Sequence, residues 1–284
     1  MKIAFVTDSG TGKTVEEMKQ AGIFSVPLQV SYDHKNYQDL EELSLDKIYQ
    51  LMQEGKMLST SLPSLGMIEE LFTELKEDGY EMIFAVPICT GLSGTINAMK
   101  LSAETIDIPF EYVDCHVTAI VQEYMIRTAK KLYEEGKDLS QIKEVLERVV
   151  ESTNTLLLPD DLQHLKRGGR LTPLAATLGG LLKIKPILKV NKETNGKIDV
   201  VDKVRTMHKA MDTVIEIMKK QHVDDTYSIT IAHADDEKGA NVYMEKVKAA
   251  FPNAKHDIIK LVSVVGVHTG RGCQAIQFFK MITE

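Results

Sequence analysis

The stretch Ile3-Ala4-Phe5-Val6-Thr7-Asp8-Ser9-Gly10-Thr11-Gly12-Lys13-Thr14 decides the fold class. Ile3 to Thr7 form a short apolar run, Asp-Ser-Gly breaks it, and residues 14–21 read as a helix. A buried strand that runs through a polar, glycine-bearing turn into a helix opens an α/β unit. The same alternation continues downstream. Residues 22–30 read as a second strand, 45–53 as an amphipathic helix, and 64–78 as a helix behind Ser61-Leu62-Pro63-Ser64. Strands at 81–87 and 110–114 enclose a helix at 95–104, and helices at 121–135 and 140–153 follow. Strands alternating with helices imply a parallel sheet covered on both faces.

The second half reads differently. A strand at 155–159 leads to a short helix through Leu165, the turn Arg167-Gly168-Gly169-Arg170 and a helix at 173–182. Residues 186–191 and 197–204 form a hairpin across Glu193-Thr194-Asn195-Gly196, where Asn-Gly between apolar alternations signals the turn. A helix at 206–221, a strand at 227–234, a helix at 237–251 and a strand at 257–262 complete the half. The hairpin requires a mixed sheet. The expectation is an α/β protein of two α/β domains: 1–152 with a mostly parallel sheet, and 153–284 with a mixed one.

Composition narrows the function classes. Of 284 residues, 43% are hydrophobic, enough for a substantial core. Cys89, Cys115 and Cys273 stand alone without metal-type spacing, which fits a reducing cytoplasm rather than a disulfide framework. The opening apolar run is too short for a signal peptide, and no stretch approaches the roughly 18 uncharged residues of a membrane span. The net charge of −7 is uneven: residues 1–152 hold 14 Lys and Arg against 26 Asp and Glu, and residues 153–284 hold 20 against 15. This is either a solvated surface of uneven sign or a C-terminal half that handles an anion. Dense basic, aromatic-interleaved patches are missing, which excludes nucleic acid as the expected partner.

Several motifs could carry chemistry. Thr7 to Thr14 lies where a nucleotide P-loop belongs, with Lys13 at the lysine position, but Thr7 replaces the first glycine. A strand-end turn with a helix cap is the plainer reading. Gly91-Leu92-Ser93-Gly94-Thr95 approximates a nucleophile elbow, but Thr95 stands where the second glycine is needed. A serine between glycines at the start of a helix still suits an anion, as it suits simple capping. Thr60-Ser61-Leu62-Pro63-Ser64 offers two more hydroxyls before a helix. Val264-Val265-Gly266-Val267-His268-Thr269-Gly270-Arg271-Gly272 places a histidine in what reads as a glycine-flanked loop after a strand. Arg170 and Arg205 supply fork-shaped cations for a carboxylate or phosphate, or for surface ion pairs. From the residues alone, the chain is an α/β protein with several loops suited to a small anion.

Taken in order and separation, these segments resemble the DegV family nearly end to end. The similarity runs through Val6-Thr7-Asp8-Ser9, Thr60-Ser61-Leu62-Pro63-Ser64, Leu92-Ser93-Gly94-Thr95 and Leu165-Lys166-Arg167-Gly168-Gly169-Arg170. It continues in Leu182-Lys183-Ile184-Lys185-Pro186-Ile187-Leu188, Lys203-Val204-Arg205-Thr206 and His268-Thr269-Gly270. The resemblance implies two α/β domains with a single long-chain fatty acid in a tunnel between them, and no catalysis or cofactor of the chain's own. It implies that Thr60, Ser61, Ser93, Gly94, His268, Thr269 and Gly270 surround the carboxylate. It further implies a partner, the ATP-binding subunit of a fatty acid kinase, which phosphorylates the carboxylate so that the acyl phosphate feeds phospholipid synthesis. Arg170, Arg205 and Arg271 would lie toward that phosphoryl-transfer or partner surface, and a transient membrane contact would accompany ligand exchange. Two departures stand out: Arg271 replaces a proline frequent in the family, and Asp114 to Glu123 lacks its later glycines. A P-loop-like phosphotransferase using Lys13 and a serine hydrolase using Ser93 and His268 are the alternatives.

Overall fold

The opening stretch forms β1 (Ile3–Asp8), all six residues of which are buried in a computed structural model that describes residues 1–177 and 184–282. It lies inside a four-stranded parallel sheet, between β2 (Phe24–Val26) and β6 (Met82–Ala85), with β7 (Phe110–Tyr112) outside β6. Strand alternation divides the apolar side chains between two faces. Ala4, Val6, Ile83 and Ala85 meet Ile68 and Phe72 of α3 (Leu65–Glu77) and Met99 of α4 (Thr95–Ile106). Ile3, Phe5 and Phe84 meet Met125 and Ile126 of α5 (Ile120–Glu134) and Leu146 of α6 (Leu139–Ser152). The short α1 (Val15–Gln20) starts on a capping box between Thr14 and Glu17.

The expected single strand at 22–30 is two. Pro27 has no N–H for a ladder, so the chain leaves the parallel sheet after β2 and re-forms as β3 (Gln29–Tyr32). There β3 joins a separate antiparallel sheet, between β4 (Lys35–Gln38) and β5 (Ser59–Ser61), with α2 (Leu45–Gln53) in the connection from β4 to β5. Neither β4 nor β5 was expected: both are short and polar, and only pairing with β3 makes them strands.

Residues after 153 build a six-stranded mixed sheet. Its order is β10 (Asp199–Val204), β9 (Lys185–Val190), β8 (Asn154–Leu158), β13 (Gln274–Lys280), β11 (Tyr227–His233) and β12 (Lys255–Lys260). Only β11 and β12 run parallel. The β9–β10 hairpin closes as expected through Asn195 and Gly196, both at positive φ. One face, with Leu156, Ile187, Ile229, Ile231, Ile276 and Phe278, is sealed by α9 (Met207–Lys220) and α10 (Glu237–Ala250). The connection from β8 to β9 holds α7 (Leu162–Arg167) and α8 (Pro173–Thr177). The expected helix end at 178–182, and Leu182 and Lys183 of the quoted motif, lie outside the described residues.

Two expectations in the C-terminal half are corrected. The segment around His268 is a helix, α11 (Ser263–Thr269), rather than a loop, because burial of Val264 and Val267 overrides the β-branched run's preference for strand. The central strand β13 was not foreseen, since six of its seven residues are buried and its faces carry no clear polar alternation.

The two halves of the chain share one apolar cluster, in which Phe5, Val121 and Met125 join Leu157, Leu188 and Ala275. They also touch at bare backbone. A Cβ at Gly91 would overlap the Gly196 carbonyl group, so the loop after β6 can rest on the β9–β10 turn only as glycine. Gly91→Ala should therefore lower stability by about 1–3 kcal/mol, as overfilling does elsewhere. Gly66→Ala in α3, with open space around it, should raise stability by ~0.5–1 kcal/mol. Thermal melts of the two variants check the pair.

Candidate functional site

A cavity of about 280 Å³ lies over the face of the six-stranded sheet turned away from α9 and α10, beneath N-terminal loops and the C-terminal segment that bears His268. Ala232, Ala275 and Leu157 contribute its floor, and Leu28, Ile88 and Val264 close it from above. Its size is near the lower end of ligand sites, roughly 300–1,000 Å³.

One end is polar. Thr60 stands on β5 and His268 on α11, and Thr60 Oγ1 lies 2.6 Å from His268 Nε2. The imidazole's other side rests against Gly168, where a Cβ would come within 2.7 Å of Nδ1. Burial first, then the positive charge of Arg170 and the neighbouring His164, lowers the His268 pKa to about 4. The ring is therefore neutral near pH 7 and presents hydrogen-bonding nitrogens rather than a charge. Ser93 precedes α4, and its Oγ is 2.8 Å from Thr95 Oγ1. Gly94 caps α4 without a side-chain bond, so amides of a 12-residue helix face this end. Arg170 reaches in from the turn after α7, its Nε donating to the Leu92 carbonyl at 3.4 Å and its Nη1 to that of Gly168.

Thr60, Ser61, Ser93, Gly94, His268, Thr269 and Arg170 all line the cavity. Ser61 and Gly94 are exposed, so the polar end reaches solvent. The other three residues singled out from the sequence do not line it. Gly270 ends α11 at φ 81°, backed by the His164 ring. Arg271 is an exposed partner of Asp235, Nη2 to Oδ2 2.8 Å. Arg205 is exposed at the end of β10, with no ion pair among the described residues.

The rival readings find little geometry to stand on. In the P-loop-like turn, Ser9, Gly10 and Thr11 are buried, and the Asp8 carboxylate accepts from the Gly10 and Ile88 amides, each at 2.8 Å. An internal carboxylate thus takes the amide that a phosphate would need, and Lys13 pairs with Glu123 at 3.9 Å. For a hydrolase, Ser93 and His268 would have to bond each other, but they bond Thr95 and Thr60. Among the described residues no cluster of metal-ligating side chains occurs, and no helix is long and apolar enough to cross a membrane.

Sequence reasoning missed the polar scaffold behind the cavity. Asp39, fully buried, accepts hydrogen bonds from Ser9 and from Ser263 at the start of α11. Burial raises the pKa of Asp8 and of Asp39 to about 6 each. Only the Asp-Ser at the first strand end hinted at this. Residues 117–120 also line the cavity, with Ala119 at φ 61°, a conformation easier for glycine.

An α/β chain with a largely apolar cavity and hydroxyls, helix amides and a neutral imidazole at its open end has the build of a binder of amphipathic anions. Residues 2–281 match the profile described as "Uncharacterised protein, DegV family", and the chain belongs to that family. It is 32% identical to a DegV domain-containing protein of Halalkalibacterium halodurans, over 98% of each chain. To one of Streptococcus pneumoniae it is 30% identical, over 99% of this chain and 100% of the relative. Among solved structures it resembles DegV of Bacillus subtilis, a fatty acid binding protein, at 28% identity and TM-score 0.86. It also resembles a fatty acid binding DegV family protein of Streptococcus agalactiae at 28% and 0.89. In each case the match covers 99% of this chain and 100% of the other.

His268 should titrate near pH 4, well below an ordinary imidazole. Imidazole NMR followed from neutral pH down through the histidine range, with His268→Gln for assignment, checks this.

Proposed function

We propose that this chain binds a single long-chain fatty acid, with the carboxylate at the Thr60–His268 end and the tail along the sheet. The observation that carries the reading is one cavity with hydroxyls and an imidazole at its solvent end and the hydrocarbon of Leu157, Ala232 and Ala275 on the floor behind them. Each methylene taken out of water contributes roughly 0.8 kcal/mol, so the tail supplies the affinity. The carboxylate must keep hydrogen-bond partners or lose part of that gain. Thr60, Ser61 and Ser93 hydroxyls, the amides around Gly94, and His268 and Thr269 supply them. The fatty acid binding of the B. subtilis and S. agalactiae proteins supports the reading.

In this reading the ligand lies in a tunnel between two domains, 1–152 and 153–284, that close on it. The chain then presents the carboxylate to a separate kinase subunit, for which the solvent-reaching polar end is suited. Arg170 beside the head group would counter charge as a phosphoryl group arrives, and the exposed Arg205 and Arg271 would face the partner. The chain itself performs no chemistry.

Protein purified from a bacterial host should carry a long-chain fatty acid, detected by mass spectrometry of an organic extract. Finding no lipid there or in a reloading experiment sinks the reading. Thr60→Val with Ser93→Ala should weaken fatty acid binding about tenfold or more, by the loss of two hydrogen bonds to a charged group. A carboxylate placed beside His268 favours its charged form, so binding should raise its pKa from about 4 and take up protons at pH values above that. Calorimetry in buffers of differing ionisation enthalpy should show this uptake, and His268→Gln should lack it.

A further inference from the structure

The cavity floor is not apolar throughout. On the sheet face that meets it, side chains form rows across neighbouring strands. One row is Leu157, Ala275 and Ala232, and the next, two residues along each strand, is Thr155, Gln277 and Thr230. The second row is the deeper one. Cys273, at the start of β13, lies against Thr269 at the polar end, and Gln277 follows four residues later, roughly 13 Å along the strand. Beyond Gln277 the same face carries Phe279, buried against Tyr124 with ring centroids 4.7 Å apart, which shuts that end.

Gln277 is committed to the protein. Its Nε2 donates to the Thr118 carbonyl at 3.0 Å and to Thr155 Oγ1 at 2.7 Å, and its Oε1 accepts from the Val121 amide at 3.1 Å. Thr155 therefore accepts, but its own O–H finds no acceptor among the described residues. The Thr230 hydroxyl makes no side-chain hydrogen bond among them, although the residue is only 2% exposed. Two hydroxyls on either side of a fixed amide thus face the blind end of a cavity read as holding hydrocarbon. Methylenes laid over them would leave both unpaired, which is unfavourable. A ligand oxygen there could accept from one and donate to the other.

We propose that the deep end is a subsite for an oxygen function on the acyl chain, so that the preferred ligand is a fatty acid bearing a hydroxyl well away from its carboxylate. The inference rests on the fatty acid reading of the cavity and adds a ligand class to it.

The test compares stearic acid with a series of hydroxystearic acids bearing the hydroxyl at successive positions, by calorimetry on delipidated protein. At least one isomer should bind about tenfold more tightly than stearic acid, the effect of one buried hydrogen bond made rather than left unmade. Thr230→Val removes the hydroxyl without disturbing Gln277; it should abolish the preference and tighten stearic acid binding, with a melting curve to verify folding. If stearic acid binds and no isomer binds better, the subsite is wrong while the fatty acid reading stands. If the preference survives in Thr230→Val, the oxygen is recognised elsewhere and the proposal is overturned. If no fatty acid binds, both fall.

Discussion

The cavity depends on the alternation of side chains along β8, β11 and β13. Leu156, Ile231 and Ile276 point to the helices α9 and α10, and their neighbours Leu157, Ala232 and Ala275 point the other way. Because the period is two, slipping one of these strands by a residue would put its helix-facing side chains on the cavity floor. The small Ala232 and Ala275, paired side by side, are what leave room above the sheet. A sheet covered by helices on both faces would have no such space. Here α5 and α6 cover only part of the second face, and over the alanines it is met by the loop residues Leu28 and Ile88 and by Val264 of α11.

Those segments are held by buried polar groups rather than by more hydrocarbon. Asp39 joins Ser9, at the end of the first strand, to Ser263, which starts the helix bearing His268. Asp8 holds the loop after β6 through the Ile88 amide and takes a further bond from Gln122 at 2.9 Å. Both carboxyls have folded pKa values raised to about 6, so they favour folding most when protonated, and that contribution fades as pH rises from 3.8 through 6. His268 acts oppositely. Its folded value near 4 lies below the ordinary 6.5, so its neutral burial costs nothing above pH 6.5 and destabilises increasingly as pH falls toward 4. The same buried chemistry that fixes the head-group end therefore sets two opposed responses to acid.

Much of this was legible in the sequence, for identifiable reasons. The helix at 45–53 and the helix behind Ser64 carried amphipathic spacing and a capping serine, and both form as read. Thr60, Ser93 and His268, far apart in sequence, announced themselves as polar residues at turns and do converge on one cavity. What was hidden depends on partners distant along the chain. β5 is three polar residues that become a strand only beside β3, and β13 is buried on both faces and has no period to read. α11 has a strand-like composition that burial overrules. The Thr155–Gln277–Thr230 row was invisible because it exists only across three strands whose register no local pattern reveals.

The central claim concerns orientation: the carboxylate at the end with the hydroxyls and imidazole, the tail over the alanine floor. A crystal structure of the protein with a bound long-chain fatty acid tests it most directly. The account predicts carboxylate oxygens within hydrogen-bond distance of Thr60, Ser93 or His268, with methylenes over Ala232 and Ala275. A carboxylate at the Thr155–Gln277–Thr230 end, or a tail lying outside the cavity, would contradict it.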